Sequence, residues 1–229
     1  MRILAADTSS RRISLALFQG GEIIEISQSM ESPSAARFFV LQDALLAAAK
    51  IQLDALDCLA LGSGPGSFTG LRVSFAAFRC LAWARAIPLY PVCSLEAMAY
   101  PYRSLDAPLI VRVPARRGQV YQYVSHRGQV LQELALLPCA EASARSLSLP
   151  EPRFLLSPAD DEDTECVRLF GYPDAASIAA LAADRTDPPP KLEDVLPLYL
   201  RPSDAEMSLS RPAKPLNETP CSGGSARIL

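Results

Sequence analysis

Residues 58–85 constrain the fold most. An apolar run, Cys58-Leu59-Ala60-Leu61, leads into Gly62-Ser63-Gly64-Pro65-Gly66-Ser67-Phe68-Thr69-Gly70, and residues 71–85 then carry only Arg72, Arg79 and Arg85 as charges. A short buried strand, a glycine-rich turn and a helix are the expected elements. Such a turn aims backbone N–H groups at a helix N-terminus and can hold an anion. A phosphate loop of the Gly-x-x-x-x-Gly-Lys type is excluded, because no lysine lies between Lys50 and Lys191. A dinucleotide fingerprint starting at Gly62 fails because Ser67 stands where its third glycine belongs, and a Gly-x-Ser-x-Gly elbow cannot be placed around Ser63 or Ser67. An architectural turn ranks first. In it Pro65 fixes φ, Gly64 and Gly66 free the backbone, Ser67 or Thr69 caps the helix, and Phe68 anchors the turn in an apolar pocket or a partner. An anion on the loop ranks second, with Arg72 one turn inside the helix.

The chain has 229 residues, enough for one large domain or two small ones. Strands are expected over Arg2–Asp7, 13–19 and 22–27, with Gly20-Gly21 as a hairpin turn. Ser34 can cap a helix over 34–50, in which Phe38, Leu41 and Leu45 share a face while Phe39, Val40 and Leu46 lie on others. Both helices are apolar on more faces than one sheet covers. Either they pack on each other as well as on the sheet, or they present a partner surface. The candidate interface residues are Phe38, Phe39, Gln42, Leu46, Val73, Ala77 and Cys80. A second meander is expected over 108–113, 119–125 and 130–137, then strands over 153–157 and 166–170 and a helix over 174–183. Asp160-Asp161-Glu162-Asp163 reads as a solvated loop, Pro188-Pro189-Pro190 as a stiff spacer, and 202–229 as a flexible tail.

With 49% hydrophobic and 21% charged residues and a mean hydropathy of +0.13, the composition is that of a globular protein. The run 44–49 is too short to cross a membrane, and residues 3–6 do not form a signal-peptide core, so a cytoplasmic protein is expected. The six cysteines contain no Cys-x-x-Cys pair and read as small buried residues. His126 is the only histidine, so a two-histidine metal site is excluded and any triad would depend on that one turn residue. A net charge of −3 argues against tight RNA binding by the chain alone. Asp7-Thr8-Ser9 closes the first strand as a candidate cation or phosphate position. Its alternative role is a turn in which Asp7 accepts hydrogen bonds from the N–H groups that follow.

Four segments, Asp7-Thr8-Ser9, Gly64 through Gly70 with Leu71-Arg72, Arg116-Arg117-Gly118-Gln119-Val120-Tyr121 and Pro197-Leu198-Tyr199-Leu200-Arg201, resemble the bacterial TsaB (YeaZ) family in order and spacing. The resemblance covers residues 1 to about 201. It implies an α/β actin/Hsp70-like ATPase fold of two RNase H-like lobes, with 1–101 as an N-terminal lobe bearing partner-binding helices and 102–201 as a smaller C-terminal lobe. It also implies a non-catalytic role in making N6-threonylcarbamoyladenosine on tRNA. The implied partners are a catalytic TsaD-like paralogue and a TsaE-like ATPase, with a homodimer when alone and tRNA met only through the complex. No cofactor is expected on the chain by itself, and ATP or ADP at the interface with the paralogue is left open. The chain departs from the family pattern at Ala35-Ala36-Arg37 and at Pro114. The alternative is a free-standing sugar or acyl kinase of the same fold, which needs glycine loops in the C-terminal lobe; between Gly128 and Gly223 only Gly171 occurs.

Overall fold

A computed structural model describes residues 1–31, 34–159 and 165–200. The acidic run from Asp160 to Asp163, Arg201 and the expected tail 202–229 lie outside the described residues.

The first sheet contains β1 (Arg2–Asp7), β2 (Arg12–Gln19), β3 (Glu22–Ser29), β4 (Cys58–Gly62) and β5 (Leu89–Val92), in the order β3-β2-β1-β4-β5. β1, β2 and β3 form an antiparallel meander, while β4 and β5 join parallel to β1. The second sheet contains β6 (Leu109–Pro114), β7 (Gln119–His126), β8 (Gln129–Pro138), β9 (Phe154–Ser157) and β10 (Val167–Phe170), in the order β10-β9-β6-β7-β8. β6, β7 and β8 are antiparallel neighbours, and β9 and β10 add in parallel. Each sheet therefore has its meander on one side of the first strand and two parallel strands on the other. This repeated arrangement is the two-sheet architecture of the actin/Hsp70-like ATPase fold.

β1 is central, and its alternating side chains serve two layers. Leu4 and Ala6 face a core formed with α1 (Ala35–Ala49) and α2 (Phe68–Arg85), built from Phe38, Leu41, Leu45, Leu71, Phe75 and Phe78. Ile3 and Ala5 face the opposite layer, with Ala16 and Ala60, under α5 (Ala175–Ala183). The alanines on both sides let α5 sit close. α5 follows the second sheet in the chain yet covers the first, so the first sheet's layers draw on residues well beyond 101.

Between the sheets lies α3 (Ser94–Ala99), a helix not anticipated from the sequence. Its Ala97 packs with α5, while Leu95, Met98 and Ala99 pack with Leu109, Val111, Tyr123 and Leu156 of the second sheet. β5 and α4 (Cys139–Leu147) were likewise not expected. α4 closes the outer face of the second sheet through Ala142, against Val120 and Leu137. Each of the three is short, with too few turns or alternations to show a period. α2 begins three residues earlier than expected, because Ser67 is the cap: its Oγ accepts from Gly70 N at 3.2 Å.

Candidate functional site

The two polar motifs of the first sheet meet. Asp7 ends β1 and is fully buried. Its Oδ1 accepts from Ser9 N (2.8 Å) and Ser9 Oγ (2.7 Å), and its Oδ2 accepts from Ser94 Oγ (2.8 Å). The turn-capping role expected of Asp7 is thus present, with Ser94 of α3 as an additional partner. Ser94 also ties in the glycine loop, since its Oγ accepts from Gly64 N (3.2 Å) and its N–H donates to Gly64 O (2.9 Å). The Thr8 hydroxyl donates to the Gly70 carbonyl (2.7 Å) and lies 2.8 Å from Ser74 Oγ. Ser67 N donates to Ser9 O at 2.6 Å.

Three glycines make this contact sterically possible. A Cβ on Gly62 would lie 1.9 Å from Asp7 Oδ2, one on Gly66 2.2 Å from Ser9 O, and one on Gly70 1.9 Å from Thr8 O. Every fourth residue from 62 to 70 is therefore a glycine facing one member of Asp7-Thr8-Ser9. Gly64 serves differently, adopting a φ of +96° that favours glycine.

The loop's donors are largely committed. The N–H groups of Ser63, Gly64, Ser67, Gly70 and Leu71 all bond within the chain. Burial pushes the Asp7 carboxyl above the usual carboxylate range, against the opposing pull of its bonds to Ser9 and Ser94. The Asp7 carboxylate is thus sealed by its own chain, and five of the loop's N–H groups are used within it. Among the described residues no group of three or more His, Cys, Asp or Glu is placed to hold a metal ion. His126 ends β7 at the surface, with Nε2 3.2 Å from Asp106 Oδ1, beside the Arg127–Asp106 pair.

A second feature of the loop is a strap. Val195 is fully buried in the core beneath α2, and its carbonyl accepts from Arg79 Nη1 at 3.3 Å. Leu198 N donates to Ser63 O at 2.7 Å. The Tyr199 ring then packs on Phe68, with centroids 5.0 Å apart, and the Arg72 guanidinium lies 3.8 Å from the Phe68 centroid. Phe68 thus anchors to a neighbour in the chain while remaining 37% exposed.

The expected interface residues separate into two groups. Phe38 is fully buried, edge-on to Phe78 at 5.6 Å, and Leu46 is 6% exposed, so both belong to the core. This corrects their placement: on α1 they fall on the stripe turned inward by the sheet and α2. Phe39, Gln42, Val73, Ala77 and Cys80 instead line one groove between α1 and α2, with Ala35, Thr69, Arg72 and Ala76, enclosing about 830 Å³. Small residues on α2 keep it open, while Phe39 (46% exposed), Val40 (53%) and Trp83 (78%) add apolar surface on the two helices. Of the two alternatives for these helices, packing on each other as well as on the sheet is present, and an apolar surface remains on both.

The repeated sheet topology and this sealed junction define an actin-like two-lobed protein whose first lobe offers a helical groove. The family model TsaD: tRNA N6-adenosine threonylcarbamoyltransferase matches residues 31–173. The TsaB proteins of Haemophilus influenzae and Bacillus subtilis are each 34% identical to the chain, over 123 and 122 residues. In each case the match covers 53% of this chain, and 52% and 53% of the relative, so the chain spans about half the length of the curated relatives it matches. A crystal structure from Pseudomonas aeruginosa, described as an uncharacterized protein with similarity to peptidase YEAZ, superposes with a TM-score of 0.74 at 26% identity. That superposition covers 87% of this chain and 99% of the other. The chain belongs to the TsaD family, in its TsaB/YeaZ group.

Proposed function

We propose that this chain is a non-catalytic subunit of the complex that transfers a threonylcarbamoyl group to N6 of the adenosine 3′ of the anticodon in tRNAs reading ANN codons. Its role is to activate a TsaD-family catalytic subunit by pairing with it through α1 and α2. The observation that carries this reading is the apolar groove between those helices, on a chain that itself matches the TsaD model across both of them. A subunit of the same family presents the same two helices, so the pair can form from equivalent surfaces, as isologous contacts do. The same helices would pair two copies of this chain in the absence of the paralogue.

The sealed Asp7–Gly70 junction supports placing the chemistry in the partner. ATP or ADP at the interface would rest chiefly on the paralogue, because Asp7 is sealed and five of this chain's loop N–H groups are used internally. A TsaE-like ATPase joins the pair, and tRNA is met through the complex. The kinase alternative has less support, since the only glycine between Gly128 and Gly223 is Gly171.

The test is capture of the TsaD-family subunit encoded in the same genome, followed by reconstitution of tRNA modification. Phe39→Asp and Ala77→Asp place a charge in the groove, where an unpaired carboxylate is costly to bury. Each is expected to weaken capture by about 100-fold or more while leaving the fold intact. Full capture by both variants, or full tRNA modification with this chain omitted, would overturn the reading.

A further inference from the structure

We infer that Gln42 is a specificity-determining residue of the α1–α2 groove, and that the partner inserts a hydrogen-bonding group to meet its side-chain amide. The inference rests on the pairing proposed above and adds the chemistry the partner must bring.

Gln42 is 5% exposed, and its Oε1 is buried without a hydrogen-bond partner. Nearly every other buried polar side chain of the first lobe is engaged: Asp7, Thr8, Ser9, Ser14, Ser63, Ser74 and Ser94 all bond within the chain. Gln42 stands apart from them, and it lines the groove beside Phe39, Val73 and Ala77.

An amide oxygen stripped of water and left without a donor opposes folding. A methionine of similar length would fill the position without that cost. The isolated chain therefore gains nothing from the amide, and the group becomes favourable only when its partner comes from outside. Rotation about the terminal torsion, which is soft for glutamine, can turn either end of the amide toward the groove. The oxygen as it stands is closed to an incoming group, so the partner meets the amide once it has turned: with the oxygen outward it supplies a donor, with the NH₂ outward an acceptor. A partner face that is apolar around one such group satisfies the amide. A wholly apolar face traps it unpaired and is rejected, which is how specificity arises between surfaces of similar greasiness.

The experiment measures affinity for the TsaD-family subunit by titration calorimetry, with the wild type, Gln42→Met and, as a second apolar replacement, Gln42→Leu. Thermal melting of each isolated chain is the companion readout. The expected result is a melting temperature equal to or above that of the wild type, with affinity reduced roughly tenfold or more. Affinity unchanged or tightened would overturn the inference while leaving the pairing intact. A lowered melting temperature accompanied by weak capture in both variants would assign Gln42 a structural role instead. Sedimentation showing altered self-association with unchanged TsaD capture would assign the amide to a second copy of this chain, against the inference. Failure of the wild type to bind the subunit at all would remove the pairing reading and the inference with it.

Discussion

At the scale of single residues, Gly70 sets two effects against each other. It lies within α2, where alanine is intrinsically better than glycine by about 1 kcal/mol. A Cβ there would meet the Thr8 carbonyl oxygen at 1.9 Å, and backbone cannot move aside as a side chain can. The clash decides the sign, so Gly70→Ala should destabilise by about 2 kcal/mol or more, lowering Tm by roughly 4 °C or more. At Gly171 the Cβ would meet only the Leu156 side chain, whose Cδ1 end lies 2.9 Å away and can give more readily than backbone, so Gly171→Ala should lower Tm less than Gly70→Ala. Equal losses in thermal melts would mean that loop docking is not what Gly70 serves. Asp7 gives a pH signature. Its folded-state pKa is raised chiefly by burial, so its contribution to stability is fully present below the unfolded-state value and is lost as pH rises through the folded one. Asp7→Asn does not titrate. The difference in Tm, variant minus wild type, should therefore grow as pH rises above about 4. A shrinking difference would show that the bonds to Ser9 and Ser94 favour the carboxylate more than burial penalises it.

At the scale of elements, the strap explains how a short proline-flanked segment serves the first lobe. It adds one fully buried side chain, Val195, one backbone hydrogen bond to the glycine loop, and one ring on Phe68. Val195→Ala should cost about 2 kcal/mol, a fall in Tm of roughly 4–8 °C, because two methyl groups leave a packed core. An unchanged melt would detach the strap from the core of the first lobe. Sequence legibility also varied by element. The meanders, α1, α2 and α5 announced themselves through alternation, caps and turn glycines. α3 did not, although it supplies Ser94, the residue that joins Asp7 to Gly64. A serine opening a six-residue helix carries no signal that its partner is a carboxylate 87 positions away.

At the scale of the whole molecule, a net charge of −3 argues against tight RNA binding by the chain alone. Filter binding of tRNA at about 0.15 M salt should show no retention by the isolated chain at low micromolar concentration, because few phosphates can be neutralised. Retention at that level would require a basic surface that the composition does not suggest. No helix among the described residues is long and apolar enough to cross a membrane.

Local period, turn chemistry and residue inventory need no partner to be read, and they alone establish the repeated meander, the strand–loop–helix at 58–85, and the exclusion of lysine phosphate loops and paired-histidine metal sites. It takes the folded chain to show that Asp7-Thr8-Ser9 and the glycine loop are two halves of one sealed junction, that Phe38 faces the core while Phe39 faces the groove, and that the Gln42 amide oxygen lacks a partner. These are properties of distances between residues far apart in the chain. A helical pattern shows that a side chain is apolar or polar, but which neighbour covers it is fixed only when sheet, helices and strap close around the same core.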